Sequence, residues 1–198
     1  MKGLILSLVF LLCACAGSGS NSYHTVSGRG LPKTQPDSEA TRRVVLVYPY
    51  THETLDVVYY HDGAYDQRAL KKIDALFRDR HANVAGKIDP ELIDYMVDIR
   101  TRLALPPTAP FQVLSGYRTP QTNARLAITN GNVAKESLHM HGWAVDFRMA
   151  GVNGRAICAI ATTMQRGGVA YYPEDNHVHV DLGNIRTWHE ARNYSSLN

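Results

Sequence analysis

The sequence predicts an α+β fold in a single domain. The chain has 198 residues, of which 44% are hydrophobic and 20% are charged, and this suits one compact domain with an extension. Helical periodicity is concentrated in the first part of that domain, and short strand-like runs form a small mixed sheet in the second part. Separate groups of helices and strands are typical of α+β folds. The net charge of +3 is too small to favour a nucleic-acid partner.

The first 14 residues have the pattern of a signal peptide. Lys2 precedes an apolar run over residues 4–12, which is too short to span a bilayer as a permanent helix. The run leads into Leu12-Cys13-Ala14-Cys15, which resembles a bacterial lipobox. That signal implies a lipid on its last cysteine, which then becomes the first residue of the mature protein.

Lipidation of Cys15 implies an anchored protein of the bacterial cell envelope that faces the periplasm, and Ala16 implies sorting to the outer membrane. The alternative is a plain secretion signal cut after Ala14 or Ala16. Residues 15–41 are rich in Gly, Ser, Asn, Thr and Pro, and we expect them to form a flexible tether. The folded domain is then predicted over residues 42–190.

The predicted domain begins with two strands and two helices. Residues 44–48 form an apolar run, and residues 55–60 follow a turn as a second strand. Asp66 can cap a first helix, and Asp89-Pro90-Glu91 is a strong start for a second, which ends at residues 106–107, both proline. The apolar faces of the helices contain Leu70, Ile73, Leu76 and Phe77 in the first, and Leu92, Met96, Ile99 and Leu103 in the second.

The second half of the domain alternates short strands with helices. The sequence predicts strands at 111–114, 144–149, 169–172 and 178–182, with helices at 120–130 and 154–165. Cys158 lies among apolar residues in the second of these helices, so we expect a buried and unreactive thiol.

Four of the nine histidines fall in two clusters, at residues 137–146 and 177–181. In a strand, His177, His179 and Asp181 share one face because side chains alternate. If that strand pairs with the one at 144–149, Asp146 and His179 can lie roughly 4.5–5.5 Å apart at their Cβ atoms. A loop can then bring His139 over the strand end, and Gly142 permits the sharp turn that this requires.

His139, Asp146 and His179 together form a three-ligand set for Zn²⁺ that leaves a fourth position open. Zinc in such a site makes water nucleophilic near neutral pH, which favours amide hydrolysis. The alternative is a group of unrelated polar residues on a solvated strand face. We do not assign His141 as a ligand, because we expect it to face solvent or to contact the ligand residues without binding the metal itself.

These motifs resemble those of the zinc D-alanyl-D-alanine peptidase group, peptidase family M15, and most closely its murein endopeptidase branch. The resemblance extends from about residue 42 to Trp188. It rests on Ser137-x-His139-x-x-Gly142-x-Ala144-x-Asp146, on His177-x-His179, and on residues 59–63, 115–123 and 167–173.

The resemblance implies a Hedgehog-type α+β fold, with a small antiparallel sheet flanked by helices. It implies zinc held by His139, Asp146 and His179, and an arginine, Arg118, that stabilises the oxyanion of the scissile carbonyl. Many relatives carry a Glu general base where this chain has Asn176.

The His-x-His branch places His177 beside the site instead, and we assign it as the general base because histidine has an ordinary pKa of about 6.5. A structural His177 is the alternative, with Glu174 and Asp175 as fallback bases. Ser137 is expected to hold the loop or substrate, and Asp181 to orient His179.

The resemblance thus predicts a zinc-dependent murein endopeptidase that acts on peptidoglycan stem peptides and cross-links. Separately, we expect the chain to be a monomer. A D-alanyl-D-alanine carboxypeptidase of the same fold and a non-catalytic, zinc-containing wall-binding lipoprotein are the alternatives. No feature of the sequence favours a small-amide hydrolase. The sequence leaves open whether the cleaved cross-link joins D-Ala to diaminopimelate or joins two diaminopimelates.

Overall fold

One mixed sheet of eight strands runs through residues 41–129 and 133–189, the part of the chain that the computed structural model describes. The strands are β1 (Arg42–Tyr48), β2 (Glu53–His61), β3 (Ala64–Tyr65), β4 (Phe111–Ser115), β5 (Ala144–Arg148), β6 (Gly168–Tyr172), β7 (His177–Asp181) and β8 (Arg186–His189). Their order across the sheet is β3-β2-β1-β4-β5-β7-β6-β8.

Four α-helices accompany the sheet: α1 (Gln67–Leu76), α2 (Pro90–Arg102), α3 (Pro120–Thr129) and α4 (Gly154–Met164). None of the described helices is long and apolar enough to cross a membrane. The predicted signal peptide, the lipid on Cys15 and the tether up to residue 40 lie outside the described residues, as does residue 190 at the predicted domain end.

Capping side chains begin the first two helices where the sequence predicts them. The Asp66 carboxylate accepts hydrogen bonds from the backbone N–H groups of Arg68 and Ala69. The Asp89 carboxylate accepts one from Glu91, next to Pro90 in the first turn. Because the first N–H groups of a helix have no partner within the helix, these carboxylates fix where α1 and α2 start.

The hydrophobic core lies between the helices and one face of the sheet. The strands β5 and β7 contribute Val145, Phe147, Val178 and Val180, each completely buried. The largest buried side chains from the helices are Ile73, Leu92, Ile93, Tyr95, Met96, Ile99 and Ile157. Cys158 is buried beside them, and burial raises the pKa of its thiol, as expected for an unreactive cysteine.

The structure confirms the α+β fold in a single domain, but the sheet is larger than predicted and is not wholly antiparallel. The strand pairs β1–β4 and β6–β8 are parallel. The first of these follows from the long connection through α1 and α2, since parallel neighbours need a crossover. The short strands β3 and β8 were not predicted, because their sequences lack an apolar alternation.

The pairing of β5 with β7 is the part of the fold that positions the candidate site. The two strands are antiparallel, and Asp146 lies directly opposite His179. Their neighbours Val145 and Val178 enter the core, so alternation along the strands directs Asp146 and His179 to the other face. The sequence-based prediction of this pairing is confirmed.

Candidate metal centre

The three predicted metal ligands converge from three separate elements. His139 comes from a 3-10 helix (Leu138–His141), Asp146 from β5 and His179 from β7. One ligand atom from each residue can be chosen so that all three lie within 4.8 Å of one another. Among the described residues 41–129 and 133–189, this is the one group of three His, Cys, Asp or Glu side chains that are close enough together to hold a metal ion.

Gly142 allows His139 to reach this position. It ends the 3-10 helix in the left-handed region, with a φ of 68°. A Cβ atom there would lie 2.0 Å from the carbonyl oxygen of Lys87. Both the backbone conformation and the close approach therefore require glycine, as the sharp turn predicted from the sequence implied.

The imidazole of His139 is oriented by a backbone contact. Its Nδ1–H donates to the carbonyl oxygen of Gly116 at 2.7 Å. The opposite nitrogen, Nε2, faces the Asp146 carboxylate at 3.4 Å. A hydrogen bond on the far nitrogen fixes the tautomer and leaves the near nitrogen available to a metal.

A buried carboxylate orients His179 in the same way. Asp181 is completely buried, and its Oδ2 accepts from Nε2 of His179 at 2.9 Å. Its carboxylate also accepts from the backbone N–H groups of Gly168 and Gly183 and from Arg186. The Nδ1 atom of His179 faces Asp146 at 2.9 Å. The expected contact between Asp181 and His179 is therefore present.

The electrostatics of the metal-free site follow from these contacts. Burial raises the pKa of Asp146, but the charges and hydrogen bonds of His139 and His179 outweigh it and hold that pKa well below its ordinary value. Burial lowers the pKa of His179, but hydrogen bonds to Asp146 and Asp181 outweigh it and raise the pKa to about 9. Without a metal, His179 is therefore an imidazolium between two carboxylates at neutral pH.

This donor set fits zinc. Two imidazoles and one carboxylate are a common ligand set of catalytic zinc sites, which keep a fourth position for water or substrate. Two ligands of a tetrahedral zinc ion lie about 3.3 Å apart, close to the 3.4 Å between Nε2 of His139 and Oδ2 of Asp146. Each imidazole also keeps one nitrogen toward Asp146 while its other nitrogen is held by the protein.

Arg118 lies next to the three candidate ligands. Its guanidinium donates to the Ser115 hydroxyl at 3.1 Å and to the Asn123 side chain at 3.2 Å. One guanidinium nitrogen is 4.0 Å from Oδ2 of Asp146. The backbone N–H of Arg118 donates to the carbonyl of His139. The side chain is thus a fixed cation at the edge of the candidate site.

His177 lies on the same strand as His179, and it lines the same cleft. Its ring stacks on that of Tyr172, with 4.5 Å between centroids and an interplanar angle of 6°. The carboxylate of Asp175 is 3.8 Å from its Nδ1 atom. These contacts fix the plane of the imidazole against the wall of the cleft.

A cleft of ≈ 580 Å³ contains all five residues that the sequence assigns to the site. The structure adds lining residues that sequence reasoning did not identify as part of the site: Glu136, Tyr172, Arg186 and Trp188. The Trp188 ring lies 5.1 Å from the His179 ring, and its Nε1–H donates to the Tyr172 hydroxyl. Trp188 is the last residue of the region that resembles the family, but its distance in sequence from the histidines did not predict that it would contact them.

The residues beside His177 differ in their contacts. Asn176 has a φ of 51°, and its side chain bonds to the backbones of Gly154 and Val152, so it serves the turn before β7. Glu174 is exposed and does not line the cleft, whereas Asp175 does. His141 is exposed beside Trp143 and does not line the cleft.

Comparison with known proteins gives one consistent family. The family model Peptidase_M15_2, described as peptidoglycan L,D-endopeptidase MepK, matches residues 36–188. A protein of Haemophilus influenzae named "Probable peptidoglycan L,D-endopeptidase MepK" is 44% identical over 119 residues. That match covers 60% of this chain and 63% of the relative, which is less than two thirds of its length. The peptidoglycan L,D-endopeptidase MepK of Escherichia coli K12 is 38% identical over 139 residues, which is 70% of this chain and 75% of the relative.

Zinc binding is expected to release a proton from His179. The pKa of this residue is about 9 in the metal-free protein, so at neutral pH zinc has to displace the Nδ1 proton. The pKa is raised above its ordinary value, so the proton competes below about pH 9 and not above it. Apparent zinc affinity should therefore rise about tenfold per pH unit from about pH 7 and level off near pH 9. Competition with a chromophoric chelator at several pH values measures it.

An Asp181→Asn variant is the control for this measurement. It removes one of the two carboxylates that raise the pKa of His179, so the affinity should level off at a lower pH. A zinc affinity that is the same at pH 7 and pH 9 would contradict the prediction that zinc displaces a proton from His179 in this range.

Proposed function

Because the chain belongs to the Peptidase_M15_2 family of peptidoglycan L,D-endopeptidases, we propose that it hydrolyses L,D peptide bonds in peptidoglycan cross-links with the help of zinc. The proposal rests mainly on one observation: His139, Asp146 and His179 converge in a cleft that Arg118 and His177 also line. All five residues lie inside the matched region.

The L,D specificity distinguishes between the two cross-links that the sequence left open. A bond from D-Ala to the D-centre of diaminopimelate joins two D-centres. A bond between two diaminopimelates joins an L-centre to a D-centre. The names of the relatives specify L,D-endopeptidases, so the proposed substrate is the cross-link between two diaminopimelates.

His139, Asp146 and His179 are the proposed zinc ligands. Bound zinc supplies a Lewis acid that polarises the scissile carbonyl and makes water nucleophilic near neutral pH. The backbone of Gly116 and the carboxylate of Asp181 hold the two imidazoles in the ligating tautomer. These orienting partners keep the ligands in place before any substrate arrives.

His177 is the proposed acid–base group. It lines the cleft two residues from His179 on one strand face, and Tyr172 holds its ring plane. In this role its imidazole accepts a proton from the attacking water and gives it to the amine that leaves. A neutral histidine can do both near neutral pH. Asp175, which faces its Nδ1 atom, is suited to hold the ring during this exchange.

Arg118 is the proposed oxyanion-stabilising group. When water adds to the amide, negative charge develops on the carbonyl oxygen, and a cation fixed nearby lowers the barrier. Ser115 and Asn123 hold the guanidinium from one side, so little reorganisation is needed when the charge appears. The proximity of Asp146 at 4.0 Å keeps the cation beside the proposed metal position.

The alternatives have less support. A non-catalytic wall-binding protein has no use for a fixed cation, Arg118, and a third histidine, His177, beside the proposed metal ligands. The names of the relatives specify an endopeptidase, which speaks against a D-alanyl-D-alanine carboxypeptidase.

Action on peptidoglycan is consistent with a place in the cell envelope. We further propose that a lipid on Cys15 anchors the chain to the outer membrane, that residues 15–41 tether the domain, and that the chain is a monomer.

The proposed activity is tested with two muropeptide dimers, one joined through two diaminopimelates and one joined through D-Ala and diaminopimelate. The purified zinc-loaded protein should convert the first dimer to monomers and leave the second intact, as chromatography and mass spectrometry would detect. A zinc chelator should abolish the reaction, and added zinc should restore it. Cleavage of only the second dimer would mean a D,D-peptidase, and an intact first dimer would contradict the proposal.

The role of His177 predicts a variant with intact zinc and little turnover. His177→Ala should lower kcat by about 10²–10⁴-fold, because general acid–base groups contribute that much. Zinc content should stay at one ion per chain, since His177 is not a proposed ligand. His141→Ala is the matched control, since His141 is exposed outside the cleft, and it should behave as wild type. If His177→Ala cleaves normally, another group is the base, and Asp175 is the next to test.

A further inference from the structure

The loop over residues 116–119 joins β4 to α3 and carries Arg118. Its successive backbone N–H groups donate to three acceptors, two from the end of α1 and the segment after it and one from the 3-10 helix. Tyr117 donates to the carbonyl of Phe77 at 2.7 Å, Arg118 to that of His139 at 3.1 Å, and Thr119 to the carboxylate of Asp79 at 2.8 Å. The last of these contacts uses a charged side chain that the proposed mechanism does not include.

Asp79 is a buried acid whose two carboxylate oxygens each accept two hydrogen bonds. It is only 2% exposed. Its Oδ2 accepts from the backbone N–H and the hydroxyl of Thr119, at 2.8 and 2.7 Å. Its Oδ1 accepts from the backbone N–H groups of His81 and Ala82, at 2.9 and 3.1 Å. One side chain therefore joins the segment after α1 to the start of α3.

The carboxylate is negatively charged despite its burial. Burial raises the pKa of Asp79, but hydrogen bonds from Thr122 and Thr119 outweigh it and hold the pKa well below its ordinary value. A charged acceptor forms stronger hydrogen bonds than a neutral one. The backbone at Thr119, immediately after Arg118, is thus fixed more firmly than a neutral contact would fix it.

The position of the Arg118 guanidinium depends on this anchor. Its partner Asn123 is in the first turn of α3, and its partner Ser115 is the last residue of β4. Asp79 sets the start of α3 relative to the loop through Thr119, whose hydroxyl also accepts from the backbone N–H of Thr122. A shift of this start would move Asn123, and with it the guanidinium that lies 4.0 Å from Asp146.

We propose that Asp79 is a positioning residue for peptide hydrolysis, which holds the loop 116–119 so that the Arg118 guanidinium faces the reacting carbonyl. This inference rests on the proposed function and on the role of Arg118 within it. Asp79 lines a neighbouring cavity that also reaches Arg118, but it does not line the metal cleft. It therefore acts through Arg118 and does not touch the substrate in the cleft.

The test is an Asp79→Asn substitution in the full chain, alone and combined with Arg118→Ala. The substitution turns one carboxylate oxygen into an NH₂ group, so two of the four donors lose their acceptor in either orientation of the amide. With one zinc per chain and a diaminopimelate-linked dimer as substrate, kcat should fall by about 10²-fold, since a small misplacement of a catalytic group can cost that much. KM should change little, because the loss arises in the transition state.

The double variant separates positioning from a general structural role. If Asp79 acts through Arg118, Asp79→Asn should not lower kcat further in the Arg118→Ala background. An equal loss of kcat in both backgrounds would overturn the proposal, and so would an unchanged kcat in the single variant. Wild-type protein that fails to cleave the dimer would instead overturn the proposed function, so the two failures are distinguishable.

Asp94→Asn is the matched control for stability. Asp94 is also a buried carboxylate, with its oxygens bound to the hydroxyls of Tyr59 and Tyr65, and it does not line the cleft. It should lower the melting temperature without lowering kcat below that temperature.

If Asp79→Asn does not fold, Thr119→Val and Thr119→Ser provide the same test. Valine removes the hydroxyl, which donates to Asp79 and accepts from the backbone N–H of Thr122, and serine retains it. Thr119→Val should lower kcat and Thr119→Ser should restore it, whereas equal kcat values for the two variants would overturn the proposal.

Discussion

The Asp146 carboxylate is the point on which the rest of the site depends. A largely buried carboxylate is costly unless charged or hydrogen-bonding partners surround it. Here the partners are His179 on the paired strand, His139 from the preceding 3-10 helix and Arg118 from the loop after β4. The negative charge of Asp146 is therefore surrounded by one guanidinium and two imidazoles, which come from three parts of the chain. In the metal-free protein, the charge on His179 balances it, and a bound cation can take over that function.

The surrounding structure holds the two imidazoles in place with hydrogen bonds to the nitrogens that face away from Asp146. Gly116 accepts from His139, and Asp181 accepts from His179. Arg186 and the backbone N–H groups of Gly168 and Gly183 in turn satisfy Asp181. Each imidazole thus keeps one nitrogen toward Asp146. Such preorganisation is what allows a metal site to bind its ion without rearranging the backbone. Gly142 and the loop 116–119 are also joined to His139, because the backbone N–H groups of Gly142 and Arg118 both donate to its carbonyl oxygen.

Much of this arrangement could be predicted from the sequence, because it follows from local rules. Alternation along residues 144–148 and 177–181 is sufficient to place Asp146 and His179 on one face, and the register of β5 with β7 agrees with it. The contributions of Asp79 and Trp188 could not be predicted in this way. Asp79 contacts Thr119 across 40 residues of sequence, and Trp188 follows a turn with no apolar alternation. Both contacts exist only once the helices and the sheet edge have packed, and no periodicity encodes that packing.

X-ray absorption at the zinc edge of the purified, zinc-loaded protein shows directly which atoms hold the metal. We expect one zinc ion per chain, bound by two imidazoles with the remaining ligands oxygen, at about 2.0–2.2 Å. The Asp146→Ala variant should lose this signal, because the carboxylate organises both histidines. Sulfur at about 2.3 Å in the first coordination shell, or an unchanged spectrum in the Asp146→Ala variant, would contradict the assignment of His139, Asp146 and His179 as the metal centre.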